Sequence, residues 1–228
     1  MKNINPKAIR WYQETAEQQK LPSVTSVLQL LPDDPYIQKW KESLTEEAYL
    51  AYMNKIFERG DIIHKLCENH FNGVYEPITL VPEYQPYITG FHRFLALHGA
   101  NIIPFHTEYE LYSAELGIAG RLDFLCEWDT HLTLIDWKTS ASSRIPPSMV
   151  EKYRAQTAFY VKIWNVTHDR KITQAVIVPL TAANKKGLWV PETLDANMLE
   201  DYFEKYKGYI LDMNLLYNDG YLPPYLLL

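Results

Sequence analysis

The chain has 228 residues, 22 Lys and Arg against 28 Asp and Glu, and a formal net charge of −6. With 47% hydrophobic and 22% charged residues it has the composition of an ordinary globular protein, which excludes disorder and a continuous coiled coil, and no run of 18 apolar residues is present to span a membrane. Two cysteines, Cys67 and Cys126, exclude a four-cysteine zinc or iron–sulfur centre, and at this length a single domain over residues 1–228 is expected.

In chain order, the first hundred residues read as helical. Ser23 is placed to cap a short helix through Leu31, and Asp33-Asp34-Pro35 starts a second that carries Trp40. A longer helix is expected from Thr45 to Phe57. Gly60-Asp61 then reads as an interruption, with Asp61 capping a new helix whose apolar stripe runs through Ile62, Ile63, Leu66, Cys67 and Phe71. A further helix covers Glu83 to Leu97 and ends near Gly99.

The period then shortens toward two. Phe105 to Tyr112, Ile118 to Trp128 and His131 to Trp137 are rich in β-branched and aromatic residues and are separated by turn-forming segments, which predicts an antiparallel meander. Pro146-Pro147 opens a helix carrying Val150, Tyr153, Tyr160 and Trp164; Ile172 to Leu180 reads as a buried strand, Leu188 to Val190 as a shorter one, and Leu194 to Leu216 as an amphipathic helix. The expected fold is α/β, a partly antiparallel sheet of four to five strands flanked by helices, with a helical N-terminal region.

A hairpin closed at Asp129-Thr130 opposes Asp123 to Asp136 and Arg121 to Lys138. Residues two apart share a strand face, so Asp136 and Lys138 project together and the register brings Asp123 to them. Directly opposed like charges destabilise a sheet unless something compensates them, and a divalent cation is the simplest compensation. Oxygen donors suit Mg²⁺ or Mn²⁺ better than zinc. An exposed hairpin with scattered charges would show the same spacing.

Charge is unevenly spread. Residues 1–137 hold 11 basic and 19 acidic groups, residues 138–190 hold 9 and 2, and residues 191–228 hold 2 and 7. A balance of +7 therefore follows directly on the Asp136-Lys138 strand, which suits a phosphate backbone. Lys152, Arg154 and Arg144 are the candidate nucleic-acid contacts, with Tyr153 and Trp137 as candidate stacking rings.

Gly120-Arg121-Leu122-Asp123 followed by Ile135-Asp136-Trp137-Lys138-Thr139-Ser140 resembles the G-x-x-D and D-x-K motifs of the PD-(D/E)XK nuclease superfamily. Gly60-Asp61-Ile62-Ile63-His64 and Gln156-Thr157-Ala158-Phe159-Tyr160 resemble the upstream histidine motif and the Q-x-x-x-Y motif of its RecB-like branch. Together with Leu21-Pro22-Ser23-Val24-Thr25-Ser26-Val27-Leu28, they are similar to the group that holds mitochondrial genome maintenance exonucleases and phage relatives. The resemblance covers residues 21 to 160 and implies a restriction-endonuclease-like fold. It makes Asp123, Asp136, His64 and the backbone carbonyl of Trp137 metal ligands, with Mg²⁺ or Mn²⁺ as cofactor and no iron–sulfur cluster. Lys138 becomes the group that orients or deprotonates the attacking water, and Gln156 and Tyr160 steady the site or hold a phosphate. Glu108 matches an acidic position upstream, although Glu110 has the same strand parity; Glu68, one turn after His64, is placed to support the imidazole. Leu122 stands where the superfamily is named for proline, and Asp61 where Thr or Ser is usual.

The implied activity is exonucleolytic hydrolysis of DNA from single-stranded ends in replication, recombination or repair, with proteins of those processes as partners. A structure-selective endonuclease, an RNase, and a non-catalytic nucleic-acid-binding accessory are the competing readings. The N-terminus has no apolar core of a signal peptide, and Glu14 and Glu17 follow its few basic residues, so a cytoplasmic location in a bacterial or phage-infected cell is expected.

Overall fold

The computed structural model describes residues 9–13, 15, 19–74, 82–142, 145–181 and 191–218. Arg144, the expected strand over 188–190 and the two lysines at 185 and 186 lie outside them. A two-stranded antiparallel ribbon, β1 (Trp11–Tyr12) and β2 (Leu21–Pro22), leads into α1 (Val24–Val27), which tightens into a 3₁₀ turn over Leu28–Leu30. Sequence reading missed this ribbon, since strands of two residues are too short to show alternation. Ser23 caps α1 by accepting from the Ser26 amide, as expected. Asp34 caps α2 (Pro35–Glu42) in the same way.

The following helix, α3 (Glu46–Phe71), corrects the expected break. It runs 26 residues without interruption from its Thr45 cap, and Asp61 is an exposed interior residue rather than a cap. An interior glycine costs only about 1 kcal/mol relative to alanine, less than burial of Ile63 and Cys67 returns. A 3₁₀ turn leads into α4 (Gln85–His98).

The main sheet holds β3 (Ile102–Ser113), β4 (Ile118–Trp128), β5 (His131–Ser140), β6 (Gln174–Thr181) and β7 (Glu192–Asp195), in that spatial order. β3, β4 and β5 form the antiparallel meander, closed at Asp129-Thr130 with φ of 47° and 72°, the left-handed pair that a two-residue hairpin turn requires. α5 (Pro147–Thr167) crosses over to β6, which runs parallel to β5, and β7 returns antiparallel to β6. The C-terminal helix is two, α6 (Ala196–Tyr206) and α7 (Gly208–Asn218), separated at Lys207. Among the described residues no helix is long and apolar enough to cross a membrane.

Strand parity divides the core. Leu132 and Leu134 of β5 pack with Phe159, Ile163 and Phe203 under α5 and α6, while Ile135 and Trp137 pack with Ile63, Phe91 and Phe94 under α3 and α4. On β4 the alternation breaks: Leu122 belongs to the α5 face and Phe124 to the opposite face, so the strand changes facing at Asp123. The two thiols are buried and free, as their apolar flanks predict.

Candidate active site

The site forms where the meander comes apart. β4 and β5 keep the expected register over five pairs, from Trp128–His131 to Phe124–Ile135, and the ladder stops there. The N–H and C=O of one strand residue face the same neighbour, so Trp137 presents both toward β4. Neither finds a backbone partner. Trp137 N–H donates to Asp123 Oδ2 at 2.9 Å, and Trp137 O lies 3.0 Å from His64 Nε2. Side chains of β4 and α3 thus take the place of two ladder bonds, which satisfies buried main-chain groups that could not otherwise be left unpaired. On the other flank, Glu108 of β3 stands opposite Asp123 between the pairs Thr107–Phe124 and Tyr109–Leu122, with φ of 48°. A non-glycine residue held left-handed inside a strand carries backbone strain, and here the strain sits on a carboxylate aimed at the site.

His64 Nδ1 lies 3.5 Å from Asp123 Oδ1 and 3.7 Å from Glu108 Oε1, and one donor atom from each of the three residues falls within 4.8 Å of the others. Beside them Asp136 is fully buried. Its Oδ2 is 2.6 Å from Lys138 Nζ, yet neither carboxylate oxygen is in hydrogen-bond geometry. Lys138 donates to Gln156 Oε1 at 3.2 Å, Gln156 Nε2 donates to the Tyr160 hydroxyl at 3.1 Å, and the Tyr153 ring centroid lies 5.0 Å from Nζ.

Electrostatics follow from this packing. Burial opposes protonation of His64, but the charge of Asp123, with the Glu108 carboxylate also close, holds its pKa up to about 10. Burial pushes Asp136 up, and the Asp123 charge adds to it against Lys138. Lys138 is raised, since Asp136 and Asp123 outweigh its desolvation. An imidazole and two carboxylates directed at one point, next to a carboxylate whose buried lone pairs lack hydrogen bonds, fit a divalent cation with hard-donor preference.

Eight of the sequence-derived site residues therefore stand together: His64, Glu108, Asp123, Asp136, Lys138, Tyr153, Gln156 and Tyr160. The parity tie between Glu108 and Glu110 is broken by the backbone, because Glu110 pairs with Arg121 across the ladder and faces solvent. Arg121 does not face Lys138; its Nε lies 2.8 Å from Glu108 Oε2. Glu68 pairs with Lys65 at 3.0 Å rather than supporting His64. The Trp137 ring is 2% exposed and stacks in the core on Phe124 and Phe71, so it offers no platform to a base. The structure also gives two of the expected DNA contacts carboxylate partners: Lys152 is 3.1 Å from Asp33, and Arg154 is 2.6 Å from Glu192 and bonded to the Tyr202 hydroxyl. Side-chain pairing across α5 to α2 and β7 has no local signature, which is why sequence left them free.

Two further residues, Arg59 and Arg10, lie by the site without a prior signal. Arg59 of α3 donates from Nε to Thr139 Oγ1 at 3.3 Å and lies 5.4 Å from the Tyr87 ring centroid. Tyr12 above all, with Tyr160 and Asp61 adding to it, holds the Arg10 guanidinium above its ordinary value. Gly120 is explained by contact, since a Cβ there would stand 2.6 Å from Tyr160 Cε1 and 3.3 Å from Val24 Cγ2. The glycine of G-x-x-D thus lets the tyrosine of Q-x-x-x-Y lie flat on β4.

Residues 85–215 match the PD-(D/E)XK nuclease superfamily. The chain is 26% identical over 202 residues to mitochondrial genome maintenance exonuclease 1 of Mus musculus, covering 83% of this chain and 58% of that protein. Solved structures that resemble it include a proposed exonuclease from Eubacterium rectale, at 10% identity and a TM-score of 0.48 over 71% of this chain and 68% of that one. An alkaline exonuclease from Laribacter hongkongensis is similar at 10% identity and a TM-score of 0.38, over 84% and 90%.

Proposed function

The chain belongs to the PD-(D/E)XK nuclease superfamily, and from that premise we propose that it is a divalent-metal-dependent exonuclease that hydrolyses DNA from single-stranded ends, acting in replication, recombination or repair as one nuclease domain. The observation that carries this reading is the convergence of His64, Glu108 and Asp123 beside the buried Asp136–Lys138 pair. On this reading His64, Asp123, Asp136, Glu108 and the Trp137 carbonyl would hold the cation. Mg²⁺ or Mn²⁺ bound there would neutralise charge on the phosphate and acidify a water.

The chain's own residues supply the remainder. With its acidic neighbours uncompensated, Lys138 is held as an ammonium, a state in which it donates hydrogen bonds to a water and offsets phosphate charge. Gln156 fixes the ammonium from one side and Asp136 from the other, which restricts it to one direction. Tyr160 in turn orients Gln156. Asp123 sets the position of β5 relative to β4 through the Trp137 amide.

The test is incubation of the purified protein with end-labelled single-stranded, duplex and closed circular DNA and with RNA, in Mg²⁺, Mn²⁺ or EDTA. Stepwise loss of the labelled single strand in metal, abolished in EDTA and in Asp136→Ala and Lys138→Ala, is expected. Cleavage of closed circles would select an endonuclease, preference for RNA an RNase, and inertness under both metals would overturn the enzyme reading.

A further inference from the structure

β3 is an edge strand of the main sheet, paired on one side to β4. Between Pro104 and His106 its register with β4 shifts by one residue, a bulge that re-aims the side chains around Phe105. Three residues further along the same strand is Glu108, about 10 Å away at the usual strand rise. Ring faces gather along this stretch. Phe105 is 44% exposed and has the Arg170 guanidinium 5.0 Å from its centroid. The exposed His106 ring lies 4.6 Å from Tyr109, whose hydroxyl is 3.5 Å from His168 Nε2, and His168 stacks on Trp164 at 3.6 Å with an interplanar angle of 1°. Glu127 holds Arg170 in place over the phenyl ring.

Resting on the nuclease reading, we propose that Phe105, His106, Tyr109, His168 and Arg170 form a binding track for unpaired nucleotides a few residues away from the bond being cut. Aromatic faces accept any base, which is what binding to unpaired strands without sequence preference requires, and Arg170, its charge partly offset by Glu127, lies against one of them. An unpaired strand spans at least the 3.4 Å per nucleotide of a duplex, so the Phe105 ring is within about three nucleotides of Glu108. A second group of exposed rings, Tyr36, Tyr52 and Phe57 on α2 and α3, lies outside the main sheet that carries Glu108 and Asp123.

The test compares wild type with Phe105→Ala/Arg170→Ala on a dinucleotide and a single-stranded oligonucleotide of 20 nucleotides. The 20-mer should show about a tenfold rise in KM with kcat retained, while the dinucleotide, too short to reach Phe105, is cut alike by both proteins. Phe105→Trp should restore the KM, which separates loss of a ring from loss of fold. Binding of a fluorescent twenty-residue oligothymidylate, read by anisotropy, should weaken about tenfold in the double variant. Unchanged anisotropy, or equal losses on both lengths, would overturn the track. Lack of cleavage by wild type, with anisotropy still responsive to the substitutions, would overturn the nuclease reading instead.

Discussion

Asp123 and Trp137 are joined by a hydrogen bond from a main-chain amide to a carboxylate at the point where two strands separate. One side chain therefore does structural work through Oδ2 and faces the imidazole through Oδ1. The two duties can be separated. Asp123→Asn keeps an acceptor for the amide and removes the charge, so nuclease activity should fall at least about a hundredfold with little change in Tm. Asp123→Ala also strands a buried N–H, which costs a further 1–3 kcal/mol or so. Calorimetry with a cleavage assay on both variants checks this, and equal Tm values for Asn and Ala would refute the structural half.

Gly120→Ala places a methyl carbon 2.6 Å from the Tyr160 ring, a contact that real structures do not keep. The ring is 4% exposed and cannot swing out freely, so a loss of about 1–3 kcal/mol is expected together with a displaced Gln156. Adding Tyr160→Leu should recover stability without recovering activity. Thermal denaturation of the single and double variants gives the answer.

Cation binding should be visible without turnover. A ligand that binds only the folded state at a hundred times its Kd adds about 2.7 kcal/mol, which for a domain of this size moves Tm by several degrees. Mn²⁺ should therefore raise Tm, EDTA reverse it, and His64→Ala or Asp136→Asn shrink the shift. An identical shift in Asp136→Asn would remove that carboxylate from the cation site.

Asp33 gives a pH signature remote from the chemistry. Against the cost of burial, hydrogen bonds from Lys41 and Lys152 hold its carboxyl well below the usual range. The folded pKa lies under the unfolded value of about 3.9, so the stabilisation is complete above roughly pH 4 and fades as pH falls through the folded value. Asp33→Asn should lower Tm at pH 7 and have a diminishing effect below pH 4. A Tm difference that is constant from pH 7 to 3 would contradict the ion pairing.

How far the sequence could be read depended on whether each signal was local. The Asp129-Thr130 hairpin, the 3.6-residue stripe of α5 and the caps at Ser23 and Asp34 are decided within a few residues, and all three recur in the structure. Glu108 was separable from Glu110 only by a backbone angle, which no periodicity encodes. The pairing of Lys152 with Asp33 spans 119 residues and that of Arg154 with Glu192 spans 38, so the positive balance of the middle segment overstated the charge available to a ligand. The supposed break at Gly60-Asp61 erred because local propensity gave way to burial one turn later at Ile63.

That unbroken helix has a mechanical consequence. At 1.5 Å per residue α3 is about 39 Å long; its buried residues, Ile63, Cys67 and Asn69, all lie in its C-terminal half with His64, while most of the positions before Arg59 face solvent. With no hinge between the halves, the exposed part works as a lever whose fulcrum is the core contact at Ile63. The exposed end at Glu46 and the imidazole of His64 thus sit on one continuous axis, about 27 Å apart.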